Sequence, residues 1–312
     1  MLSIVTVSKG RLEIFSRVVD AIWDNAHDPY NIEHIVATDM DDLESRKFMK
    51  DYIKKYPAYN ITHKEVRLPT CEECSKAAGR PITHYERRKI HRDYWNPIAR
   101  RARGDVVFGL TNELILKTKN FDKIMLDSVE AHKKKHKHSY FQILIDDDNE
   151  SVLPEYSKPF PFCSQIILTK EAVSIVNGIA PDEIAFSGAD QYMEKVFSTT
   201  LCEAQIDLRD QIKSENISHY TGKQEAPDDV TGSRPIDDTN WADVAAKDYD
   251  IALNYAIIKQ IKWVKEQLKE RESFVKPEEI EKLTRQLIDR AAEDKTRGSW
   301  RGTQAGLVAD DG

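Results

Sequence analysis

Apolar, β-branched runs alternate with amphipathic segments along the first half of this 312-residue chain, and that alternation constrains the fold more than any single motif does. Leu2 to Val7 is a strand-like run broken by Ser8-Lys9-Gly10-Arg11; Leu12, Phe15, Val18, Val19 and Ile22 then recur at helical spacing. A second strand, Ile32 to Thr38, ends at Asp39-Met40-Asp41-Asp42. An amphipathic segment follows over Leu43 to Tyr56, and a third strand over Ile61 to Leu68. Strands joined through helices run parallel with helices on the sheet faces, so the expected class is α/β with a mostly parallel sheet. Right-handed crossovers bring the first two loops to one sheet edge, with Ser8 to Arg11 beside Asp39 to Asp42.

The central stretch, Trp95 to Asp122, repeats the theme. Its basic start is expected to be a helix end closed by Gly104, and Val106 to Leu110 then suits a buried strand. That run stops at Thr111-Asn112-Glu113, polar groups at the carboxyl end of a parallel strand, where ligands of open α/β sheets collect. A polar loop closing a core strand explains them equally well. Leu114 to Leu116 and Phe121-Asp122 follow, and a helix is expected over Ile124 to His132. The run from His132 to His138 fits a solvated helix end.

Tyr140 to Ile145 is expected to be a strand, ended by Asp146-Asp147-Asp148-Asn149-Glu150, which is either a surface turn or a set of oxygen ligands for a hard cation. Phe160 to Leu168 is a further strand, with Thr169 as N-cap of a helix over Lys170 to Asn177 that Gly178 closes. Asp190 opens the next helix; capping alone would account for it, and so would a base that must stay ionised. Leu201 to Leu208 is a late strand, and His219 lies just beyond it. Residues 223–243 have linker composition, 244–295 form a helical extension and 296–312 a flexible tail, which leaves 1–222 as the main domain.

Several classes lose ground. Lys and Arg number 46 against 53 Asp and Glu, a formal charge of −7 that disfavours a general nucleic-acid coat. There is no Walker loop and no G-x-G-x-x-G. Cys71 and Cys74 with His84 and His91 resemble a zinc set but lack a second C-x-x-C and the usual histidine spacing. The basic segment Arg87 to Arg92 before Tyr94-Trp95-Asn96 suits a solvated face, nucleic acid, or the diphosphate of one nucleotide. No apolar stretch approaches the ~20 residues of a membrane span, and with no leader and only four cysteines a cytoplasmic setting is expected.

In the order and spacing of these elements the chain resembles the GT-A nucleotide-sugar glycosyltransferases, in the family-2-like group with short phage and bacterial members. The resemblance spans Met1 to Tyr220. It rests on Ser8-Lys9-Gly10-Arg11, the acidic end of the second strand, Asn96 with the A-R-G-D step, and the polar triplet with Phe121-Asp122. Phe186-Ser-Gly-Ala-Asp190 and His219 complete it.

The resemblance implies a nucleoside-diphosphate sugar donor, such as a UDP-sugar, in a pocket lined by Ser8, Lys9, Gly10, Arg11, Asp39, Asp41, Arg87, Asn96, Thr111 and Asn112. Asp190 would be the general base of an inverting transfer to an acceptor hydroxyl on a glycan, protein or modified base. Glu113 and His219 would hold Mn²⁺ or Mg²⁺. Neither aspartate of the family's D-x-D is present in Thr111-Asn112-Glu113, so Lys9, Arg11, the basic segment or Asp146 to Asp148 are alternative sources of charge compensation. The rivals are a nucleotide-sugar or glycan binder without turnover, a sugar-phosphate nucleotidyltransferase, and a nucleic-acid module built on Arg87 to Arg103. The helices after Asn240 would cover the acceptor or join copies in a homo-oligomer.

Overall fold

A computed structural model describes residues 1–8, 12–40, 42–66, 91–136 (91–94 as backbone), 138–148, 163–179, 193, 196–197, 204–217 and 266. The proposed linker and tail, Cys71, Cys74 and His84 of the zinc set, and nearly all of the C-terminal extension lie outside them.

The continuous apolar runs become central strands because both their faces are covered. Strand β1 (Leu2–Ser8) pairs in parallel with β2 (Ile32–Asp39) on one side and β4 (Val106–Gly109) on the other. Strand β3 (Asn60–Val66), half-buried along its length, forms the edge beside β2. The order is β3-β2-β1-β4-β7-β6-β8 in a seven-stranded sheet, where β6 is Gln142–Leu144, β7 Ile166–Thr169 and β8 Gln205–Asp207. Only β7 is antiparallel to its neighbours, so every other strand ends on one shared carboxyl edge. A two-stranded antiparallel sheet joins β5 (Leu114–Leu116) to β9 (Ser214–Asn216). The expected α/β, mostly parallel architecture is the observed one; β9 had no signature in the sequence.

Helix α1 (Leu12–Asn25) buries Ile14, Phe15, Val18, Val19, Ile22 and Trp23 as one stripe. Helix α2 (Leu43–Lys55) starts at Asp42, whose carboxylate accepts from Ser45 N at 3.0 Å and Ser45 Oγ at 2.6 Å. That member of the acidic loop is therefore an N-cap. Helix α3 (His91–Ala99) ends before Gly104, so the expected role of that glycine needs correction. Gly104 is required by close approach: an added Cβ would lie 2.6 Å from Ser3 N and 2.7 Å from Met1 O. Helix α4 (Phe121–His136) begins earlier and runs further than expected. Its Asp122, only 2% exposed, accepts from His27 N at 2.7 Å and Asp28 N at 3.0 Å, which fastens the turn leaving α1.

Helix α5 (Lys170–Ile175) is capped by Thr169 as expected. The left-handed residue behind it is Asn177 (φ 58°), and Gly178 N–H then returns to Val173 O at 2.9 Å, a Schellman closure.

Candidate functional site

On the carboxyl edge, β1 delivers Ser8 and β2 delivers Asp39, side by side because Ser8 pairs with Thr38. Both are 1% exposed. Beyond β4 the ladder continues one step, with Leu110 N–H donating to Val5 O at 2.9 Å, and then releases Thr111-Asn112-Glu113 as a turn. The structure thus gathers Ser8, Asp39, Thr111, Asn112 and Glu113 on one edge. Lys9, Gly10, Arg11, Asp41, Arg87, Asp190 and His219 lie outside the described residues.

Among the described residues, two hydroxyls on this edge are buried without a hydrogen-bond partner: Ser8 Oγ and Thr111 Oγ1. Buried polar atoms are normally satisfied, so an orphan at a strand end is informative. By contrast Thr111 N–H is satisfied, donating to Gln165 Oε1 at 3.1 Å. Glu113 is half-buried, and its carbonyl accepts from Ile217 N at 3.0 Å, extending the β5–β9 pairing in which Leu114 faces Asn216. The described chain leaves the sheet there, two residues before His219 in sequence.

Asn96 is buried behind the end of β4. Its Oδ1 accepts from Ile179 N at 3.0 Å and abuts Gly178, where a Cβ would lie 2.3 Å away. Its amide oxygen thus serves α3 and the turn after α5. Gly109, the last residue of β4, leaves room for Ile179 and Trp95 beside it; a Cβ there would lie 3.3 Å from Ile179 Cδ1.

The acidic run after β6 is a built turn. Asp146 pairs with Lys213 at 2.9 Å and accepts from Asp148 N at 3.0 Å, while Asp147 accepts from Ser164 N. It borders a cleft of about 170 Å³ shared with Asp207 and Arg209, themselves ion-paired at 2.8 Å. Among the described residues no group of three or more His, Cys, Asp or Glu is arranged to hold a metal ion. Two of the described basic residues before β4 have internal partners. Arg103 binds Glu33 at 2.7 Å, and Arg100 donates to Asn177 O at 3.0 Å. Burial pushes the Glu33 carboxyl up, but bonds from Arg103 and Ser3 outweigh it and hold the group below its usual range.

Sequence reasoning missed Gln165 and a buried relay between α1, α2, β2 and β1: Trp23 Nε1 to Tyr52 Oη (2.6 Å), Tyr52 Oη to His34 Nδ1 (3.0 Å), and His34 Nε2 to Thr6 Oγ1 (3.1 Å). Gln165 sits inside an apolar run and carries no spacing signal. Only its position, between Ser164 and Ile166, marks it.

No family model matches the chain, and no curated protein matches its sequence. Solved structures do resemble it. Residues 1–349 of S. aureus TarS in complex with UDP-GlcNAc align at 11% identity and a TM-score of 0.54, over 97% of this chain and 76% of that one. The same fragment with UDP aligns at 10% and 0.53, over 95% and 73%. A mannosyltransferase of Pyrobaculum calidifontis, in complex with GDP-Man and Mn²⁺, aligns at 11% and 0.48, over 96% and 82%. No helix among the described residues is long and apolar enough to cross a membrane. At such identities the likeness is one of fold, and the fold is the α/β, GT-A type found in nucleotide-sugar glycosyltransferases.

Proposed function

We propose that this chain is a glycosyltransferase that moves a sugar from a nucleoside-diphosphate donor to an acceptor hydroxyl. The observation that carries the reading is the pair of orphaned hydroxyls, Ser8 Oγ and Thr111 Oγ1, at the carboxyl ends of adjacent parallel strands. A nucleotide offers many acceptor and donor atoms, and ligands of such sheets lie along this edge. TarS, whose fold the chain shares, is known in complex with UDP-GlcNAc.

In this reading Ser8, Lys9, Gly10 and Arg11 meet the nucleotide, Asp39 and Asp41 hold base and ribose, and Arg87, Asn96, Thr111 and Asn112 complete the pocket. Asp190 takes the proton of the acceptor hydroxyl. The hydroxyl oxygen then bonds to the anomeric carbon as the carbon–oxygen bond to the diphosphate breaks, and the nucleoside diphosphate leaves with the electron pair. Displacement from the far face gives inversion. Glu113 and His219 would hold a divalent ion; what supports this is that Ile217, two positions before His219 in sequence, donates its backbone N–H to the Glu113 carbonyl. Hard oxygen donors such as Glu113 and Asn112 suit Mg²⁺ or Mn²⁺, which would offset charge on the donor diphosphate. A binder without turnover is the second reading, favoured by the single carboxylate where the family has D-x-D.

Calorimetric titration of UDP and GDP, with and without Mn²⁺, into wild type and Glu113→Ala tests the proposal. Metal-enhanced binding of one nucleotide that Glu113→Ala weakens ~10-fold or more supports it, in keeping with loss of an ion ligand. No binding of either nucleotide to well-folded wild type refutes it. Binding without release of sugar from any UDP- or GDP-sugar supplied with acceptors selects the second reading.

A further inference from the structure

Strand β7 is reversed, so it begins on the carboxyl edge where its neighbours end. Its leading residues are therefore placed between the loops that follow β4 and β6. Those two strands stand two spacings apart, ~10 Å, with β7 between them. Gln165, 2% exposed, bridges the gap. Its Oε1 accepts from Thr111 N–H at 3.1 Å and its Nε2 donates to Ser164 Oγ at 3.0 Å. Ser164 N–H in turn donates to the carboxylate of Asp147, which is also 2% exposed.

We propose that Gln165 is a positioning residue for the donor site, holding the Thr111 turn so that Thr111 Oγ1 stays unpaired and directed to a ligand. The inference rests on the transferase reading. Burying a primary amide at the start of an apolar strand is costly unless all its bonds are made. Here both ends of the amide are used, and one of them takes up the backbone N–H that would otherwise be orphaned past the last ladder bond. Gln165 satisfies the backbone donor of Thr111, and among the described residues the hydroxyl of the same residue is left without a partner. The relay also ties the turn to Asp147, so the β4 and β6 loops are held as one wall.

The test is a double-mutant cycle in nucleotide affinity, read by calorimetry with UDP and GDP in the presence of Mn²⁺. Wild type, Gln165→Leu, Thr111→Val and the double variant are compared, with Gln165→Glu as the variant that keeps an acceptor for Thr111 N–H. Gln165→Leu should weaken binding ~10-fold, the scale of one lost buried hydrogen bond, and Gln165→Glu should stay within ~3-fold of wild type. In the Thr111→Val background the same Leu substitution should change affinity by less than ~2-fold, because the group it positions is gone. An equal loss in both backgrounds, or a Gln165→Leu variant that binds as wild type does, overturns the positioning role while leaving the donor site intact. Failure of wild type to bind either nucleotide overturns the transferase reading and this inference with it. If Gln165→Leu does not fold, Gln165→Asn, polar but one carbon too short to reach Thr111, takes its place in the cycle.

Discussion

Acidification from pH ~7.5 to ~5 should remove about 2 kcal/mol of stability through a single histidine. His34 lies in β2 with no exposed surface. Trp23 Nε1–H donates to Tyr52 Oη, and the two ring nitrogens of His34 are bonded to Tyr52 Oη (Nδ1) and Thr6 Oγ1 (Nε2). Every polar atom of the neutral ring is used. A second proton would put a charge on the ring in a site closed to solvent. Burial accordingly lowers the His34 pKa from 6.5 to about 3. Below the unfolded value the unfolded chain binds a proton that the folded chain refuses, so stability is complete above pH 6.5 and declines as pH falls toward 3. Linkage gives about 2 kcal/mol lost by pH 5 and ~5 kcal/mol once the folded value is passed.

Urea unfolding at the two pH values, for wild type and His34→Gln, measures this. Glutamine retains an amide donor for Thr6 and has no proton to gain. The His63 and His138 pKa values are also lowered, chiefly by burial, and add in the same direction in both proteins. The difference of differences isolates His34. Wild type should lose about 2 kcal/mol more than the variant between the two pH values. Equal pH dependence in the two proteins would refute the assignment.

Ser8→Ala should raise stability or leave it unchanged, since the hydroxyl removed has no partner among the described residues and burying it unsatisfied costs ~1–3 kcal/mol. The same substitution should weaken nucleotide binding, so opposite signs in a thermal melt and a calorimetric titration are expected. Asp122→Ala strips the acceptor from two backbone N–H groups at once and should destabilise by ~2–4 kcal/mol, read by urea unfolding.

The central strands were legible because burial on both faces leaves a mark in a single sequence: Leu2 to Val7, Ile32 to Thr38 and Val106 to Leu110 are runs, and all are strands. The edge that collects the site followed from their being parallel. Strand direction left no such mark, so the reversal of β7 was invisible in the run from Phe160 to Leu168, and with it the use of Gln165. The polar relay was illegible for a different reason. Trp23, His34 and Tyr52 are separated along the chain by a helix and a strand, and nothing local in any of them signals that they meet. Aspartate is ambiguous in sequence: Asp42 caps α2 and Asp146 pairs with Lys213, uses that look identical there to ligand positions. Gly104 was read by the commonest reason for a glycine near a helix end, when contact with β1 is what demands it.

The replacement of D-x-D by Thr111-Asn112-Glu113 has a thermodynamic consequence within the proposed function. A site with several carboxylates can retain an ion by itself, whereas one carboxylate with a histidine leaves most of the coordination to water and to the donor diphosphate. Metal and nucleotide then complete each other's site, and linkage requires that each raise the affinity of the other by the same factor. Mn²⁺ alone should therefore bind weakly to this protein, saturating UDP or GDP should tighten it, and Mn²⁺ should tighten the nucleotide equally. Glu113→Ala should abolish that mutual enhancement while sparing the metal-free affinity, because the contacts of Ser8 and Thr111 with the nucleotide do not pass through the ion. Titration of Mn²⁺ into wild type without nucleotide is the decisive arm. Tight binding there would mean that a carboxylate set outside Glu113 holds the ion, and the assignment of Glu113 as its ligand would fall.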